Sequence, residues 1–300
     1  MKIRLVVQAD PRLHAQVRAL GGRRLVFFAG LPGTGKSLLV HQLAHLAGAS
    51  GRSIHLLQWD VARPPFEASP AGQRYPPADG VTHRVIRKAA GLWARHAIAS
   101  WGERHPDPRH LLIGETPFVG SRVVELAHRL DDRVEPLLAG PSCRFVIVVP
   151  SAEVRRFLEA QRERRAADPL HPREREDAPP HVLRDLWRDL ATVARQMGVA
   201  APDAGRVAGQ ETTSGAAGPP PLDPVAYRRV YEAVLRHRNV EIVALDTILP
   251  TETLSVYDFA IAPRDLAPSE AEAEQFIREV ERGYAEPAAL EREIARWWEV

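Results

Sequence analysis

The chain has 300 residues, which is enough for one large domain or two small ones with a sizeable buried core. The formal net charge of +2 is close to neutral, so charge gives no reason to expect a nucleic-acid or membrane partner. A single cysteine, Cys143, excludes an internal disulfide framework and favours a reducing compartment, and no apolar run is long enough to cross a membrane, so we expect a cytoplasmic protein.

Short apolar segments alternate with longer helical patterns along the chain. The strand candidates are Leu25–Ala29, Ser53–Gln58, His110–Gly114, Phe145–Val149 and Glu241–Leu245. Short, apolar segments of this kind are typical of parallel strands that are buried on both faces. The helix candidates are Lys36–Ala47, Val81–Trp101, Arg122–Leu130, Ala152–Arg165 and Pro224–His237. This alternation predicts an α/β fold with a doubly wound, five-stranded parallel sheet, whose ligands bind beyond the carboxyl ends of the strands.

Three regions lie outside this alternation. Residues 1–22 are an N-terminal extension, in which Lys2–Gln8 is a candidate edge strand. Residues 198–221 are rich in Gly, Ala, Pro, Ser and Thr, and this composition predicts a flexible loop. Residues 251–300 follow the main domain of residues 23–250, and their sequence predicts a C-terminal helical extension. Its two helices, the second starting at Pro287, carry apolar side chains that could pack on the body: Phe276, Ile277, Val280, Leu290, Ile294 and Trp297.

The most specific motif is Gly-Leu-Pro-Gly-Thr-Gly-Lys-Ser at residues 30–37, which matches the phosphate-binding loop G-x-x-x-x-G-K-[ST]. It follows a strand candidate and opens a helix candidate, as its chemistry requires. The glycines allow backbone N–H groups to curl around a polyphosphate, and the helix N-terminus adds partial positive charge. The motif predicts that ATP, or another nucleoside triphosphate, binds with Mg²⁺ at Gly30, Gly33, Thr34, Gly35, Lys36, Ser37 and Leu38.

Within this loop, Lys36 is expected to reach the β- and γ-phosphates and the Ser37 hydroxyl to hold Mg²⁺. Glu115 follows the third strand candidate, where an acid supports the metal or its water. Asp60 follows the second strand candidate, where a carboxylate can orient or deprotonate an acceptor hydroxyl. Arg63, one turn later, can hold an anionic acceptor group or the transferring phosphoryl group. The alternative for Asp60 is a capping role before Pro64 and Pro65.

An arginine-rich helix follows the fourth strand candidate. Arg155 and Arg162 share a helix face, and Arg165 neighbours Arg162. Over residues 151–180, these arginines predict a mobile lid in which Arg162 and Arg165 neutralise charge during transfer. The alternative is a solvated helix laced with Glu–Arg pairs.

The remaining polar and aromatic candidates carry less specific signals. A second basic group is expected to border the acceptor cavity: His83, Arg84, Arg87 and Lys88. The histidines show no metal-ligand spacing, Trp93 and Trp101 are expected in the core, and Cys143 is expected to be inert.

Together these motifs resemble those of the P-loop kinase group that includes polynucleotide 5′-kinases, zeta-toxin-like kinases and small-molecule phosphotransferases. The resemblance covers residues 23–248 and implies that Asp60 activates the acceptor and that the arginines form the lid. The family usually has Asp before Thr where this chain has Glu115 and Thr116. The insertion at 198–221 and the C-terminal helices have no counterpart in it.

The function favoured by the sequence is an ATP- and Mg²⁺-dependent kinase that phosphorylates a hydroxyl acceptor. The acceptor is left open among a nucleoside, a sugar, an antibiotic and a nucleic-acid 5′ end, and the oligomeric state is left open too. Three alternatives remain: a nucleoside monophosphate kinase, a regulatory P-loop ATPase, and a nucleotide-binding module without turnover. A motor ATPase usually has an acidic pair after the third strand, whereas this chain has Glu115 alone.

Overall fold

A computed structural model describes residues 5–78, 81–199, 223–259, 264–284 and 286–300, and it contains one parallel sheet of five strands in the order β2-β3-β1-β4-β5. The strands are β1 (Leu25–Ala29), β2 (Ser53–Leu57), β3 (His110–Thr116), β4 (Cys143–Pro150) and β5 (Val240–Leu245). All five lie where the sequence predicts them, which confirms the five-stranded parallel α/β sheet.

Helices connect successive strands, as a parallel sheet requires. The connecting helices are α2 (Lys36–Ala49), α3 (Trp59–Ala68), α4 (Arg84–Arg104), α5 (Glu135–Leu138), α6 (Ala152–Ala167), α7 (Pro180–Gln196) and α8 (Pro224–Val234). In addition, α1 (Pro11–Leu20) precedes β1, and α9 (Glu270–Gly283) and α10 (Pro287–Ala295) follow β5. None of the helices in the described ranges is both long and apolar enough to span a lipid bilayer.

The two faces of the sheet carry separate hydrophobic cores. On one face, Val26 and Phe28 of β1 pack with α1 and α2. On the other face, Leu25 and Phe27 of β1 pack with α3, α4, α8 and the C-terminal helices α9 and α10. Alternate residues of a strand point to opposite faces, so a continuously apolar strand is buried on both sides. Helices on both faces fit a doubly wound fold.

The central position of β1 sets the location of the site. β1 pairs with β3 on one side and β4 on the other, with Ala29 opposite Thr116 and Ile147. The chain leaves β1 into α2 on one face and leaves β3 toward α5 on the other face. Connections that diverge in this way open a crevice at the carboxyl ends of two neighbouring strands, where ligands of such sheets bind.

The structure corrects three details of the sequence prediction. The described part of the candidate edge strand Lys2–Gln8 is not a strand, because Val6–Ala9 forms a 3₁₀-helix that leads into α1. The predicted helix Arg122–Leu130 is reduced to the 3₁₀-turn Val124–Leu126. Strand β3 extends through Thr116, so Glu115 lies within the strand rather than after it.

Four further helices were not predicted, α1, α3, α5 and α7, and of these α3 and α7 border the site. In the C-terminal part, α10 begins at Pro287, and all six apolar side chains named for this region are buried. Trp93, Trp101 and Cys143 are buried as expected. Most of the predicted flexible loop at 198–221 lies outside the described residues.

Candidate functional site

The glycine-rich loop between β1 and α2 has a backbone that only glycine adopts readily. Gly30, Gly33 and Gly35 have φ angles of +151°, +76° and +89°. At Gly30 there is also no room for a side chain, since a Cβ atom there would lie 2.4 Å from the Tyr227 hydroxyl. The loop therefore needs glycine for its conformation and for its close approach to α8.

Tyr227 on α8 contacts this loop and was not identified from the sequence. The backbone N–H of Leu31 donates a hydrogen bond of 3.1 Å to the Tyr227 hydroxyl, and the Thr34 hydroxyl donates one of 2.8 Å to the Leu31 carbonyl. Burial raises the pKa of Tyr227, so the phenol stays protonated. The ring packs between Trp187 and Tyr231, which fixes the position of the hydroxyl.

Lys36, Ser37 and Glu115 form a compact charged cluster beside the loop. The Lys36 Nζ donates to the Leu31 carbonyl at 2.7 Å and lies 3.4 Å from Glu115 Oε1. The Ser37 hydroxyl donates to Glu115 Oε2 at 3.0 Å. These contacts exist because β3 pairs directly with β1, which sets Glu115 beside the start of α2. Thus the structure brings Glu115 beside two residues that precede it in the sequence by nearly eighty positions.

The Lys36 ammonium group of the cluster is shielded from solvent. Lys36 is only 2 % exposed, and burial lowers its pKa, although the nearby Glu115 carboxylate opposes this effect. Leu38 lies in the first helical turn with Lys36 and Ser37, where backbone N–H groups have no intrahelical partner. The cluster can thus offer an ammonium group and helix N–H groups to an anion, and two oxygen ligands to a hard cation.

Asp60 lies in the first turn of α3, directly after β2, on the same edge of the sheet. Its side chain is exposed to the crevice. The N-cap position of α3 is occupied by Gln58, two residues earlier, and not by Asp60. The pKa of Asp60 is raised, first by partial desolvation within the crevice and then by the Glu115 carboxylate, while Arg63 and Arg122 act in the opposite direction. An open carboxylate with a raised pKa is suited to accepting a proton.

Arg63 lies one turn after Asp60, with an ion pair of 3.3 Å to Glu67 on the same helix. Its Nε is buried and has no hydrogen-bond partner in the described parts of the chain. Since a guanidinium group has five N–H donors, the pair with Glu67 leaves donors available to another anion. The predicted role of Arg63 in holding an anionic group stays a prediction.

The segment after β3 contains the most strained backbone of the described structure. Phe118, Ser121 and Val123 have φ angles of +58°, +62° and +53°, and Gly120 has one of +64°. Left-handed conformations at residues other than glycine cost about 1 kcal/mol or more each and concentrate at functional sites. Backbone hydrogen bonds between Phe118 and Arg122 close this segment into a tight loop. We call residues 117–123 the strained loop.

The strained loop carries Arg122 toward Asp60 and Arg63. Burial lowers the pKa of Arg122, the Asp60 carboxylate raises it, and the Arg63 charge lowers it again, so the three groups lie within electrostatic reach of each other. Arg122 has no hydrogen bond or ion pair to any side chain in the ranges that the structure describes. A half-buried guanidinium with available donors is a typical recognition site for a carboxylate or phosphate.

Arg87 and Lys88, two of the four basic residues predicted to border an acceptor cavity, make different contacts and so have different roles. Arg87 donates to the carbonyl of Gly120 and so holds the strained loop, and burial lowers its pKa to about 10. Lys88 instead pairs with Glu125 at 3.1 Å and with Glu293 of α10 at 2.6 Å. Lys88 therefore connects α4 to the C-terminal helices, which is a structural role.

The arginines of the predicted lid form internal contacts around α6. Arg162 pairs with Asp177, which also accepts a hydrogen bond of 2.8 Å from the Tyr257 hydroxyl. Arg165 donates to the Glu252 carbonyl at 2.5 Å and lies 3.9 Å from Glu174. The Asp177 carboxylate also contributes to the raised pKa of Asp60, so this segment approaches the site.

Sequence reasoning missed Arg122, Tyr227 and Leu183 as neighbours of the site. Leu183 on α7 would lie 3.0 Å from a Cβ at Gly33, so α7 covers part of the glycine-rich loop. Arg122 was placed at the start of a helix, because a left-handed turn built from residues other than glycine has no sequence signal. Tyr227 lies within the predicted helix Pro224–His237, but only the fold sets its hydroxyl against the loop.

No protein-family model, curated protein or solved structure matches this chain. The resemblance to a kinase group therefore rests on the sequence motifs alone.

The raised pKa of Asp60 predicts a pH-dependent effect on stability. Ionised Asp60 is less favourable in the folded state than in the unfolded chain, so we expect Asp60→Asn to raise the melting temperature at pH 7. The gain should shrink as the pH falls through the folded pKa toward the ordinary value of 3.8, because Asp60 is then neutral in the wild type as well. Thermal unfolding from pH 7 to pH 4 measures this effect.

The control for this measurement is Asp131→Asn, at an exposed position outside the site. A lower melting temperature for Asp60→Asn at pH 7 would contradict the prediction. It would mean that the carboxylate stabilises the first turn of α3 through the helix dipole.

Proposed function

We propose that this protein is a P-loop phosphotransferase, a kinase that uses ATP and Mg²⁺ to phosphorylate the hydroxyl group of an acceptor that also carries an anionic group. The observation that carries the proposal is the position of Asp60. Its open carboxylate lies across the crevice from the Lys36, Ser37 and Glu115 cluster, with Arg63 and Arg122 beside it. The P-loop motif and the central position of β1 in a parallel sheet support the same class.

The residues present fit a nucleoside triphosphate with Mg²⁺. The glycine-rich loop has the open backbone that an approaching polyphosphate needs, and Lys36 and the first turn of α2 supply positive charge at its end. Ser37 Oγ and the Glu115 carboxylate are hard oxygen ligands that suit Mg²⁺. When bound, ATP and Mg²⁺ supply the γ-phosphoryl group and additional positive charge.

The chain's own residues account for the rest of the chemistry. Asp60 orients the acceptor hydroxyl and accepts its proton, and its raised pKa makes it a better proton acceptor than an ordinary aspartate. Lys36 balances negative charge on the transferred group. Arg162 and Arg165 exclude water if their segment closes over the site, as the resemblance implies.

Arg63 and Arg122 favour an acceptor that carries a carboxylate or a phosphate in addition to its hydroxyl. Both guanidinium groups retain available N–H donors, and burial of Arg122 strengthens any charge-assisted hydrogen bond that it forms. Among the acceptor classes, this favours phosphorylated sugars, nucleotides and nucleic-acid 5′ ends over neutral nucleosides, sugars and cationic antibiotics.

A regulatory ATPase is the second candidate, and the contacts of Glu115 favour it. Glu115 contacts both Lys36 and Ser37 and could orient a water molecule for hydrolysis without any acceptor. On this reading, Asp60 would have no chemical role. The two functions therefore differ in which carboxylate is essential.

The first prediction under this proposal concerns Lys36. Replacing it with alanine should lower ATP turnover by about 10³-fold or more, because a buried charge that stabilises the transition state is lost. ATP consumption in the presence of an acceptor panel measures the rate, and circular dichroism with thermal melting controls for folding. Full turnover by a folded Lys36→Ala protein would exclude the glycine-rich loop as the nucleotide site.

The second prediction separates the kinase from the ATPase. Asp60→Asn should lower acceptor phosphorylation by about 10²–10⁴-fold while ATP affinity is retained, because the loop that binds the nucleotide is untouched. Glu115→Gln should weaken Mg²⁺-dependent nucleotide binding as well as turnover. Product mass and acceptor-free ATP hydrolysis are measured for both variants. If Asp60→Asn leaves both rates unchanged and Glu115→Gln abolishes hydrolysis, the ATPase is the correct function.

The third prediction tests the anionic acceptor. With an acceptor found in the panel, Arg122→Gln should raise the acceptor KM by about 10- to 100-fold, since a charge-assisted hydrogen bond contributes about 1.5–3 kcal/mol. The KM for ATP should stay unchanged. Arg129→Gln, at an exposed position seven residues later, is the matched control. Equal acceptor KM values in all three proteins would show that Arg122 does not bind the acceptor.

A further inference from the structure

Three histidines converge at the end of the sheet opposite the glycine-rich loop. His55 lies in β2, His110 begins β3, and His105 directly follows α4. One ring nitrogen from each histidine lies within 4.8 Å of the others, and His55 Nε2 is 2.9 Å from His110 Nδ1. His105 and His110 are separated by four residues, a spacing found in metal sites, which corrects the expectation that the histidines lack such spacing, and the fold adds His55 to them.

The surroundings hold the three rings in unequal ways. His55 is 4 % exposed, and the edge of its ring packs against Trp101 at a centroid distance of 5.7 Å. His105 and His110 are half-buried, with a ring-centroid distance of 4.4 Å between them. Thus His55 is a fixed group, while the other two imidazoles can rotate through short distances.

A cavity of about 360 Å³ opens beside these rings. Its lining includes His55, His105, Arg104, Arg264 and Asp265. The segment at Asp265 is held to the outer edge of β2 by a hydrogen bond of 2.8 Å from the Leu266 N–H to the Leu56 carbonyl. The Asp265 Oδ1 atom is buried without a hydrogen-bond partner in the described ranges of the chain. A buried oxygen without a partner is uncommon in folded proteins, and a ligand or a water molecule in this cavity would supply the missing hydrogen bond.

We propose that His55, His105 and His110 bind a divalent transition-metal ion, with Zn²⁺ as the best fit, and that the fourth coordination position faces this cavity. Imidazole nitrogen is a preferred ligand of Zn²⁺, Cu²⁺ and Ni²⁺ and a poor one for Mg²⁺ and Ca²⁺. Tetrahedral coordination with Zn–N bonds of 2.0–2.1 Å separates ligand nitrogens by about 3.3 Å. The present spacing reaches this value if the 2.9 Å separation of His55 Nε2 and His110 Nδ1 opens slightly and His105 rotates toward the other two rings.

Three protein ligands leave one position for a water molecule or a small anion. Arg104 and Arg264 line the cavity at this position, and their positive charge favours an anionic fourth ligand. Without a metal, the same arginines would make the cavity a simple anion site. The convergence of three imidazole rings favours the metal, because each neutral ring offers an unshared electron pair that an anion cannot use.

The metal would join His55 to His105 and His110, which follow it far later in the sequence. His55, His105 and His110 belong to β2, to the end of α4 and to the start of β3, so one bound ion links two strands and a helix. A ligand that binds only the folded state stabilises it. This site is separate from the glycine-rich loop, so it does not depend on the proposed kinase activity.

The test is metal binding by the full chain, with Zn²⁺ and Co²⁺ as probes. We expect one Zn²⁺ per chain by elemental analysis after gel filtration, and a visible Co²⁺ absorption band of four-coordinate type. His105→Gln and His110→Gln, at half-buried positions that tolerate substitution, should each weaken binding by about 10-fold or more, since even outer-shell changes cost 10–100-fold. In both variants, Zn²⁺ should also raise the melting temperature by less than it does in the wild type.

Two matched variants define the site. His96→Gln removes a histidine that lines the same cavity outside the cluster, and Glu115→Gln removes the acid beside the glycine-rich loop. Both should retain Zn²⁺ with unchanged affinity. The proposal is overturned if the wild type binds no Zn²⁺, if both ligand variants bind as the wild type does, or if inorganic phosphate raises the melting temperature through the same residues while Zn²⁺ has no effect.

Discussion

The direct pairing of β1 with β3 is the constraint on which the site depends. It sets Ala29 opposite Thr116, so that the glycine-rich loop and Glu115 meet at one edge of the sheet. The same pairing gives Lys36 and Ser37 a shared carboxylate partner. With another strand between β1 and β3, these groups would be one interstrand spacing of about 4.8 Å farther apart, and neither contact could form.

The strained loop is the second element on which the site depends, and buried ion pairs hold it. It leads into Val124–Leu126, where Glu125 is fully buried and pairs with Lys88. Burial alone would lower the pKa of Lys88, but the carboxylates of Glu125 and Glu293 raise it above its ordinary value. Gly91 makes this contact possible, because a Cβ there would lie 1.7 Å from Glu125 Oε2. The C-terminal helices thus help to hold the loop that carries Arg122.

The charged groups of the crevice are arranged at a cost to stability. The charged side chains of the crevice are partly desolvated. The Asp60 and Glu115 carboxylates lie close to each other, and so do the Arg63 and Arg122 guanidinium groups. Such an arrangement opposes folding unless a ligand supplies the compensating charges. An acceptor anion beside the arginines and a cation beside the carboxylates would both relieve this repulsion, which agrees with the proposed substrates.

The sequence by itself determined the parallel sheet, its five strands and the glycine-rich loop. Continuous apolar strands are buried by helical layers on both faces of the sheet. The glycines of residues 30–37 allow the loop conformation, so both signals can be read from short stretches of sequence. Tertiary structure alone decided the positions of Arg122 and Tyr227 and the approach of His55 to His105 and His110. The left-handed turns that direct Arg122 occur at residues other than glycine, and Tyr227 and His55 acquire their partners from strands and helices distant in the chain. Contacts of that kind depend on strand order and helix packing, which no local pattern of residues encodes.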